Sequence, residues 1–209
     1  GAYRETMGFV MGPNILVMDE PAHGRYRSLI QMAVSKKALE RWETDRVRPV
    51  VNGLVVQFVD RGHAELVREL TFPFPVHVIA GMLGLPKEDL PQFHAWAAEL
   101  ISIAIDFQTG LNASKKLGEY LTPFIEARRK EPGIDLISVL ASVELDGQRL
   151  DNEHVLGFLR LLLPAGAETT YRSSSNLMYG LLTHPDQLAD LHRDRGLMLQ
   201  AIEEGLRWE

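Results

Sequence analysis

The residues best suited to chemistry lie together in the segment 165–170, which reads Ala-Gly-Ala-Glu-Thr-Thr. Glu168 supplies a carboxylate and Thr169 a hydroxyl, and an alcohol beside an acid can deliver protons to a reacting group. Ala165 and Thr169 are four residues apart, so on a helix they share one face. The small residues Ala165 and Gly166 would let a flat ligand approach the backbone closely. The segment therefore indicates a proton-delivery site beside a bound ligand.

The same segment interrupts the longest helical pattern of the chain, Asn152 to Thr183. Pro164 removes a backbone hydrogen bond and costs about 3 kcal/mol in a regular helix, and Gly166 costs about 1 kcal/mol relative to Ala. The two threonines that follow Glu168 can bond back to earlier carbonyls, which bends helices. A cluster of residues that disfavour a regular helix within a helical segment tends to mark a functional site. A plainer interpretation stays open, in which two helices meet at Pro164 and Glu168 caps the second.

The rest of the chain is predicted to be helical with very little strand, so the fold class is mainly α. Apolar residues recur at helical spacing, and Pro and Gly mark the starts and stops. Residues 144–150 are predicted as a small hairpin because Asp146-Gly147 suits a tight turn, and Asp151 is the predicted N-cap of the long helix. The other predicted segments are 22–39, 40–61 closed by Gly62, 76–83, 87–105, 112–130, 135–143, 185–193 and 197–209.

Composition excludes several classes of protein. The 209 residues are 45% apolar and 24% charged, an ordinary globular mix that predicts a single domain over residues 1–209. The net charge is −6 with no basic stripe, which argues against nucleic-acid binding. No apolar run approaches the ~20 residues of a membrane helix. The chain has no cysteine, which excludes disulfides and thiolate chemistry within it and is compatible with a cytoplasmic location.

Four segments, in this order along the chain, resemble motifs of the cytochrome P450 family. Residues 19–27 (Asp-Glu-Pro-Ala-His-Gly-Arg-Tyr-Arg) resemble the stretch whose His and Arg contact the haem propionates, and residues 74–89 resemble the Pro-Val…Gly-Leu-Pro-x-Glu-Asp segment. Residues 165–170 resemble the oxygen-activation motif, and residues 204–207 resemble the Glu-x-x-Arg pair. Each match alone is weak, but four in family order identify the chain as resembling a soluble bacterial cytochrome P450.

The resemblance implies a haem-dependent monooxygenase that inserts one atom of O₂ into a hydrophobic small molecule such as a terpenoid, steroid or fatty acid. It implies haem b as the cofactor, with electrons ultimately from NAD(P)H. A ferredoxin-type electron donor and its reductase are the implied partners. The resemblance breaks off after Glu209, before the haem-ligating Cys. The sequence is therefore expected to be a central fragment, without the family's N-terminal strands and inactive alone.

The resemblance also assigns roles near the interrupted helix. Glu168 and Thr169 would be catalytic, with Thr169 acting in oxygen activation and Glu168 relaying protons from solvent. Ala165, Gly166 and Thr169 would lie against the haem. Pro164 departs from the family's usual small or apolar residue, so the bend is expected to start early.

Two further pairs carry implied roles. His23 and Arg27 would bind the haem propionates, and a guanidinium suits a carboxylate because it can donate two parallel hydrogen bonds. Glu204 and Arg207 would be structural. No residue of this chain is expected to ligate the iron.

Four questions stay open at this stage. A non-catalytic α-helical module that binds a ligand or a partner helix would explain the apolar periodicity but not the ordered motifs. A di-iron carboxylate site would need Glu-x-x-His from two helices, and Glu20-x-x-His23 is the sole example, with Pro21 inside it. The apolar stretches 9–16 and 101–111 would contact substrate or belong to the core. Three basic residues near the first predicted helix would face an acidic donor or simply be solvated: Arg25, Lys36 and Lys37.

Overall fold

The structure, a computed structural model, describes residues 2–145 and 147–208, so the predicted turn residue Asp146 lies outside the described residues. Helices make up most of it, and the predicted mainly α class is confirmed. The helices are α1 (Ala2–Met11), α2 (Ala22–Ala33), α3 (Lys36–Trp42), α4 (Arg48–Val56), α5 (Pro73–Met82), α6 (Leu90–Ile101), α7 (Phe107–Lys130), α8 (Leu136–Ser142), α9 (Asn152–Leu163), α10 (Thr169–Thr183), α11 (Pro185–Arg193) and α12 (Met198–Arg207).

Single turns of other helix types join several of these helices. Wider π turns span Glu43–Val47, Val67–Thr71 and Pro164–Glu168. Tighter 3₁₀ turns span Val59–Arg61, Lys87–Asp89, Ser102–Ala104 and Arg195–Leu197. No described helix is both long enough and apolar enough to cross a lipid bilayer.

The predicted helix 22–39 is wrong as a single element. It divides into α2 and α3 because Ser35 is extended, with φ −61° and ψ 156°. The predicted helix 40–61 is also interrupted, by the π turn that precedes α4. Gly62 and Gly84 close the preceding segments as predicted, with left-handed φ angles of +70° and +67° that glycine tolerates best. Helix α1 was not predicted at all.

The core lies between α5, α6, α7, α8 and α9. Helix α7 packs against α6, α8 and α9, and its inward side chains are completely buried. Burying such side chains contributes roughly 1.5–3 kcal/mol each. The large side chains that solvent does not reach include Phe93, Leu100, Leu117, Leu121, Ile125, Leu136, Ile137, Leu140 and Leu159.

The start of α9 is fixed by local polar contacts. Asp151 accepts a hydrogen bond from the backbone N–H of His154 at 2.9 Å, which confirms the predicted N-cap, worth about 1 kcal/mol. The His154 ring stacks on Tyr26 of α2, with ring centroids 4.5 Å apart. Helix α2 is therefore held against the first turn of α9.

The predicted hairpin is present just before α9. Strands β1 (Glu144–Leu145) and β2 (Gln148–Arg149) pair in antiparallel register, and Gly147 has a φ of +74°. Arg129 of α7 donates to the carbonyls of Ala141 at 2.7 Å and Leu150 at 2.5 Å. These bonds tie α7 to both sides of the hairpin and so to the start of the long helix.

Two histidines meet between α5 and α6. His77 and His94 have ring centroids 6.1 Å apart, and the rings of His94 and Phe72 form a T-shaped pair with centroids 5.0 Å apart. The Nε2 atom of His94 is buried, without a hydrogen-bond partner among the described residues. Burial lowers the pKa of both rings, and the proximity of His94 lowers the pKa of His77 further. Both rings are therefore neutral in the folded protein near neutral pH.

We expect this pair to make folding sensitive to acid. Because the folded-state pKa values lie below the ordinary value of about 6.5, the unfolded chain binds more protons as the pH falls. The stabilisation is fully present above the unfolded pKa and is lost as the pH falls. Replacing His94→Phe should reduce the loss of unfolding free energy measured by urea titration between about pH 7.5 and about pH 5.5. His192→Phe, at an exposed position of α11, is the control. Identical pH dependence in His94→Phe and the parent would contradict the prediction.

Candidate functional site

The predicted interruption of the long helix lies at Pro164. Helix α9 ends at Leu163, α10 begins at Thr169, and the five residues between them form one π turn. Pro164 keeps helical dihedral angles, with φ −65° and ψ −40°, so the helix widens without separating. Glu168 makes no side-chain cap to α10, and the capping interpretation is therefore wrong. Single π turns inside α-helices are frequent at functional sites.

The threonines after the turn bond back to it. The Thr169 hydroxyl donates to the Ala165 carbonyl at 2.6 Å, and the Thr170 hydroxyl donates to the Gly166 carbonyl at 2.7 Å. Ser173 continues the pattern by donating to the Thr169 carbonyl at 2.8 Å. The hydroxyl hydrogen of Thr169 is thus engaged by the protein, while its oxygen can still accept a hydrogen bond.

The residues of the π turn point in different directions. Ala165 and Thr169 are exposed, and the bond between them shows that they share the face predicted from their spacing. Ala167 is fully buried. A Cβ at Gly166 would lie 3.3 Å from Cδ1 of Ile79 in α5, so this glycine makes room for a neighbouring helix. Of the two small residues, Ala165 is the one that offers space on the open face.

Glu168 has a partner that the sequence analysis missed. Its Oε1 accepts a hydrogen bond from Nε of Arg172 at 3.0 Å and lies 2.9 Å from Nη2 of the same guanidinium. The pair is at the surface, with Glu168 33% and Arg172 63% exposed. The spacing of an acid and a base four residues apart on a helix was the available signal. The carboxylate and the Thr169 hydroxyl, predicted to act as a pair, therefore bond to different groups.

His23 and Arg27 lie one turn apart on α2. His23 is one-third exposed, and its Nδ1 lies 3.1 Å from Oε1 of Glu20. Hydrogen bonds from His23 and from the Gly24 N–H lower the pKa of the Glu20 carboxyl. Arg27 is exposed and makes no hydrogen bond or ion pair within the described residues. Both basic side chains are thus accessible to a carboxylate, although Glu20 competes for His23.

Glu204 and Arg207 form the predicted pair on α12. Arg207 donates through Nε to Oε2 at 3.0 Å and through Nη2 to Oε1 at 2.8 Å, a parallel two-bond geometry. The hydrogen bonds and the charge of Arg207 lower the pKa of Glu204. Between them lies Gly205, whose missing side chain lets Leu177 of α10 approach closely. The pair is exposed within the described part of the chain.

The residue types at these positions are compatible with a haem, but they do not complete a site for one. The small side chain at Ala165 and the exposed hydroxyl of Thr169 suit the flat ring, and His23 and Arg27 suit its two carboxylates. The chain contains no cysteine, so the sulfur ligand of the iron is not among these residues. Among residues 2–145 and 147–208, no three His, Asp or Glu side chains are grouped so that they could hold a metal ion.

The curated proteins that this chain resembles include named oxygenases. No family profile matches it. It is 37% identical over 199 residues to the cytochrome P450 monooxygenase PikC of Streptomyces venezuelae, covering 94% of this chain and 47% of that protein. It is 37% identical over 209 residues to the vitamin D(3) 25-hydroxylase of Pseudonocardia autotrophica, covering 99% of this chain and 51% of that protein.

Solved structures agree with this likeness. The structure of CYP109E1 from Bacillus megaterium in complex with testosterone superposes with a TM-score of 0.86 and 36% identity, over 94% of this chain and 54% of that one. The cytochrome P450 PksS of Bacillus subtilis superposes with a TM-score of 0.89 and 28% identity, over 97% and 52%.

The fold and the relatives are those of cytochromes P450, and the chain belongs to that family. It spans about half the length of the curated relatives it matches.

Two glycines of the long helix should differ in how well they tolerate replacement by alanine. A Cβ at Gly166 would meet only the flexible end of Ile79 and, at 3.7 Å, Cδ1 of Leu162. A Cβ at Gly157 would overlap the backbone carbonyl oxygen of Pro13, which cannot turn away. We therefore expect Gly166→Ala to change the free energy of unfolding by less than about 1 kcal/mol, and Gly157→Ala to lower it by about 1–3 kcal/mol. Urea titration measures the free energy of unfolding of both variants. Equal losses in the two variants would contradict the prediction.

Proposed function

We propose that the full-length protein containing these residues is a haem-dependent monooxygenase that inserts one atom of O₂ into a hydrophobic small molecule. The observation that carries the proposal is the open Ala165–Thr169 face at the π turn of the long helix, in a chain that resembles cytochromes P450 over most of its length. Because these residues include no cysteine, we also propose that they have no monooxygenase activity alone.

Two residues at the π turn would have different roles in the reaction. The haem, when bound, would supply the iron at which O₂ is activated. Thr169 would offer its hydroxyl beside that position, giving up its bond to the Ala165 carbonyl when it donates. Glu168 would take protons from solvent, since its carboxylate is one-third exposed, and would exchange Arg172 for a proton or water while doing so. Both residues would thus be catalytic.

The remaining site residues would hold the cofactor and the fold. His23 and Arg27 would bind the propionates as charged donors. Ala165 and Gly166 would line the ring, Ala165 by its small size and Gly166 by letting α5 pack behind it. The pair that Glu204 forms with Arg207 would be structural.

Exposed apolar side chains support a hydrophobic substrate. In the stretches 9–16 and 101–111, Phe9 is 71% and Ile105 is 92% exposed, and Leu16 is half-exposed. Val10 and Met11 belong to the core, so the substrate interpretation does not extend to them. Relatives named for vitamin D(3) hydroxylation or solved with testosterone favour a steroid over a terpenoid or a fatty acid.

We propose a ferredoxin-type donor and its reductase as partners, with electrons from NAD(P)H, in the cytoplasm. Arg25 of α2 and Lys36 of α3 would face an acidic donor, while the side chain of Lys37 lies outside what the structure describes. Lys36 is nearly fully exposed, and its ammonium lies 3.9 Å from Glu40, so it remains available to a partner.

The direct test is spectroscopic. The purified full-length protein should bind one haem per chain, and its reduced carbonyl complex should show the absorption of a thiolate-ligated iron. A protein without haem, or with haem lacking the thiolate signature, would overturn the proposal.

Thr169→Ala should uncouple electron use from product formation in the full-length protein. The variant lacks the hydroxyl on the open face, so reduced oxygen is released as peroxide. We expect NAD(P)H consumption to continue while product per NAD(P)H falls about tenfold or more. Thr183→Ala is a matched control, because its exposed hydroxyl bonds back to the Tyr179 carbonyl at 2.8 Å, far from the π turn. Unchanged coupling in Thr169→Ala would remove this role.

Arg27→Ala should weaken haem retention. The exposed guanidinium has no protein partner to lose within the described residues, so its removal should affect propionate binding more than folding. We expect the haem dissociation rate to rise by about tenfold, as measured by transfer to an apo-globin. Arg193→Ala in α11, where the side chain is 76% exposed, is the control. Equal haem loss from the two variants would contradict the assignment.

A further inference from the structure

Arg160 is the one charged residue in the apolar stretch from Val155 to Leu163. It points away from the open face, into the junction of α9, α7 and the segment that follows α1. Its Nε donates to the Ser114 carbonyl at 3.0 Å. Burying a guanidinium is costly unless hydrogen bonds compensate, so a residue of this kind in an apolar stretch needs an explanation.

Two glycines make room for this side chain. A Cβ at Gly118 of α7 would overlap Nη2 of Arg160. A Cβ at Gly12 would lie 3.5 Å from Nη1, and Gly12 has a left-handed φ of +80°. The guanidinium thus occupies a socket between α7 and the segment after α1.

Ser114 and Gly157 attach the same segment at two more points. Ser114 is buried, and its hydroxyl donates to the Val10 carbonyl while its own carbonyl accepts from Arg160. Gly157 admits the Pro13 carbonyl against the surface of α9. A hydrogen-bonded path therefore runs from the end of α1 through α7 to Arg160.

The attached segment has a fixed local shape. Asn14 is buried, and its side chain donates to the Gly12 carbonyl at 2.8 Å and accepts from the Leu16 N–H at 3.0 Å. The residues on either side of this turn, Phe9 and Leu16, are exposed. A rigid, anchored turn therefore determines where two apolar side chains stand.

We propose that Arg160 is a positioning residue that fixes segment 9–16 against α7 and α9 and thereby sets the selectivity for hydrophobic substrates. The substrate part of this inference rests on the proposed function, whereas the anchoring rests on the contacts alone. The hydrogen bond of Arg160 and its close approaches are to α7 and to the segment after α1, so its effect on the reaction would pass through Phe9 and Leu16.

The test compares three variants of the full-length, haem-loaded protein. Arg160→Met keeps an apolar side chain but removes the guanidinium. Gly118→Ala retains the arginine in the sequence, but the added Cβ occupies the space that its guanidinium fills. Gly53→Ala is the control, because a Cβ there meets nothing within 4 Å on exposed α4. Hydrogen exchange followed by mass spectrometry reports the protection of each segment.

We expect amide exchange in residues 9–16 to quicken by about tenfold in Arg160→Met and in Gly118→Ala, with α10 to α12 unchanged. The double variant should be no faster than Arg160→Met, because both changes act on the same contact. Gly53→Ala should leave exchange in 9–16 unaltered. Unchanged exchange in 9–16, or equal quickening throughout the chain, would overturn the anchoring.

Substrate selectivity is the second readout. Spectral titration with testosterone, a terpenoid and a fatty acid should show the ratio of dissociation constants between the best and second-best ligand change by about tenfold in Arg160→Met. The haem content and the reduced carbonyl spectrum should stay as in the parent. An unchanged ratio would overturn the role in selectivity. A parent protein without the thiolate spectrum would instead overturn the proposed function, while the exchange data still decide the anchoring.

Discussion

Pro164 has no amide hydrogen to donate, and the long helix has to accommodate that loss within its most apolar part. It does so by widening for a single turn, which changes the direction of each side chain in the turn. Ala167 enters the core, Gly166 faces α5, and Ala165 stays with Thr169 on the open side. The candidate site is therefore placed by the π turn that Pro164 begins.

Three of the four polar side chains proposed for the haem site have protein partners in the described part of the chain. The Thr169 hydroxyl bonds to a backbone carbonyl, Glu168 pairs with Arg172, and His23 lies beside Glu20. Binding of a cofactor would therefore replace existing hydrogen bonds with new ones. The free energy gained in each replacement is small compared with that of a hydrogen bond to a previously unpaired polar group. Arg27 differs, because it makes no such contact within the described residues. If Arg27 binds a propionate, as we propose, it would do so without giving up a protein partner in the described part of the chain.

Much of the fold could be predicted from local rules, and the failures have physical causes. The Asp151 cap, the hairpin turn and the interruption at Pro164 each depend on residues within a few positions, so the sequence was sufficient. The orientation of Gly166 depends on α5, which lies far away in sequence, and periodicity cannot supply it. The same holds for Val10 and Met11, which are buried only because α7 and α9 pack over them. The cytochrome P450 motifs predicted the family, whereas the partners of Arg172 and Arg160 were identified from three-dimensional contacts.

The approach of Pro13 to Gly157 has a consequence for how this protein can change. A backbone oxygen pressed against a helix surface leaves no volume for a side chain at position 157, whichever residue occupies position 13. Libraries that aim to alter the range of compounds accepted should therefore keep the hydrogen side chain at position 157 and diversify the neighbouring exposed positions.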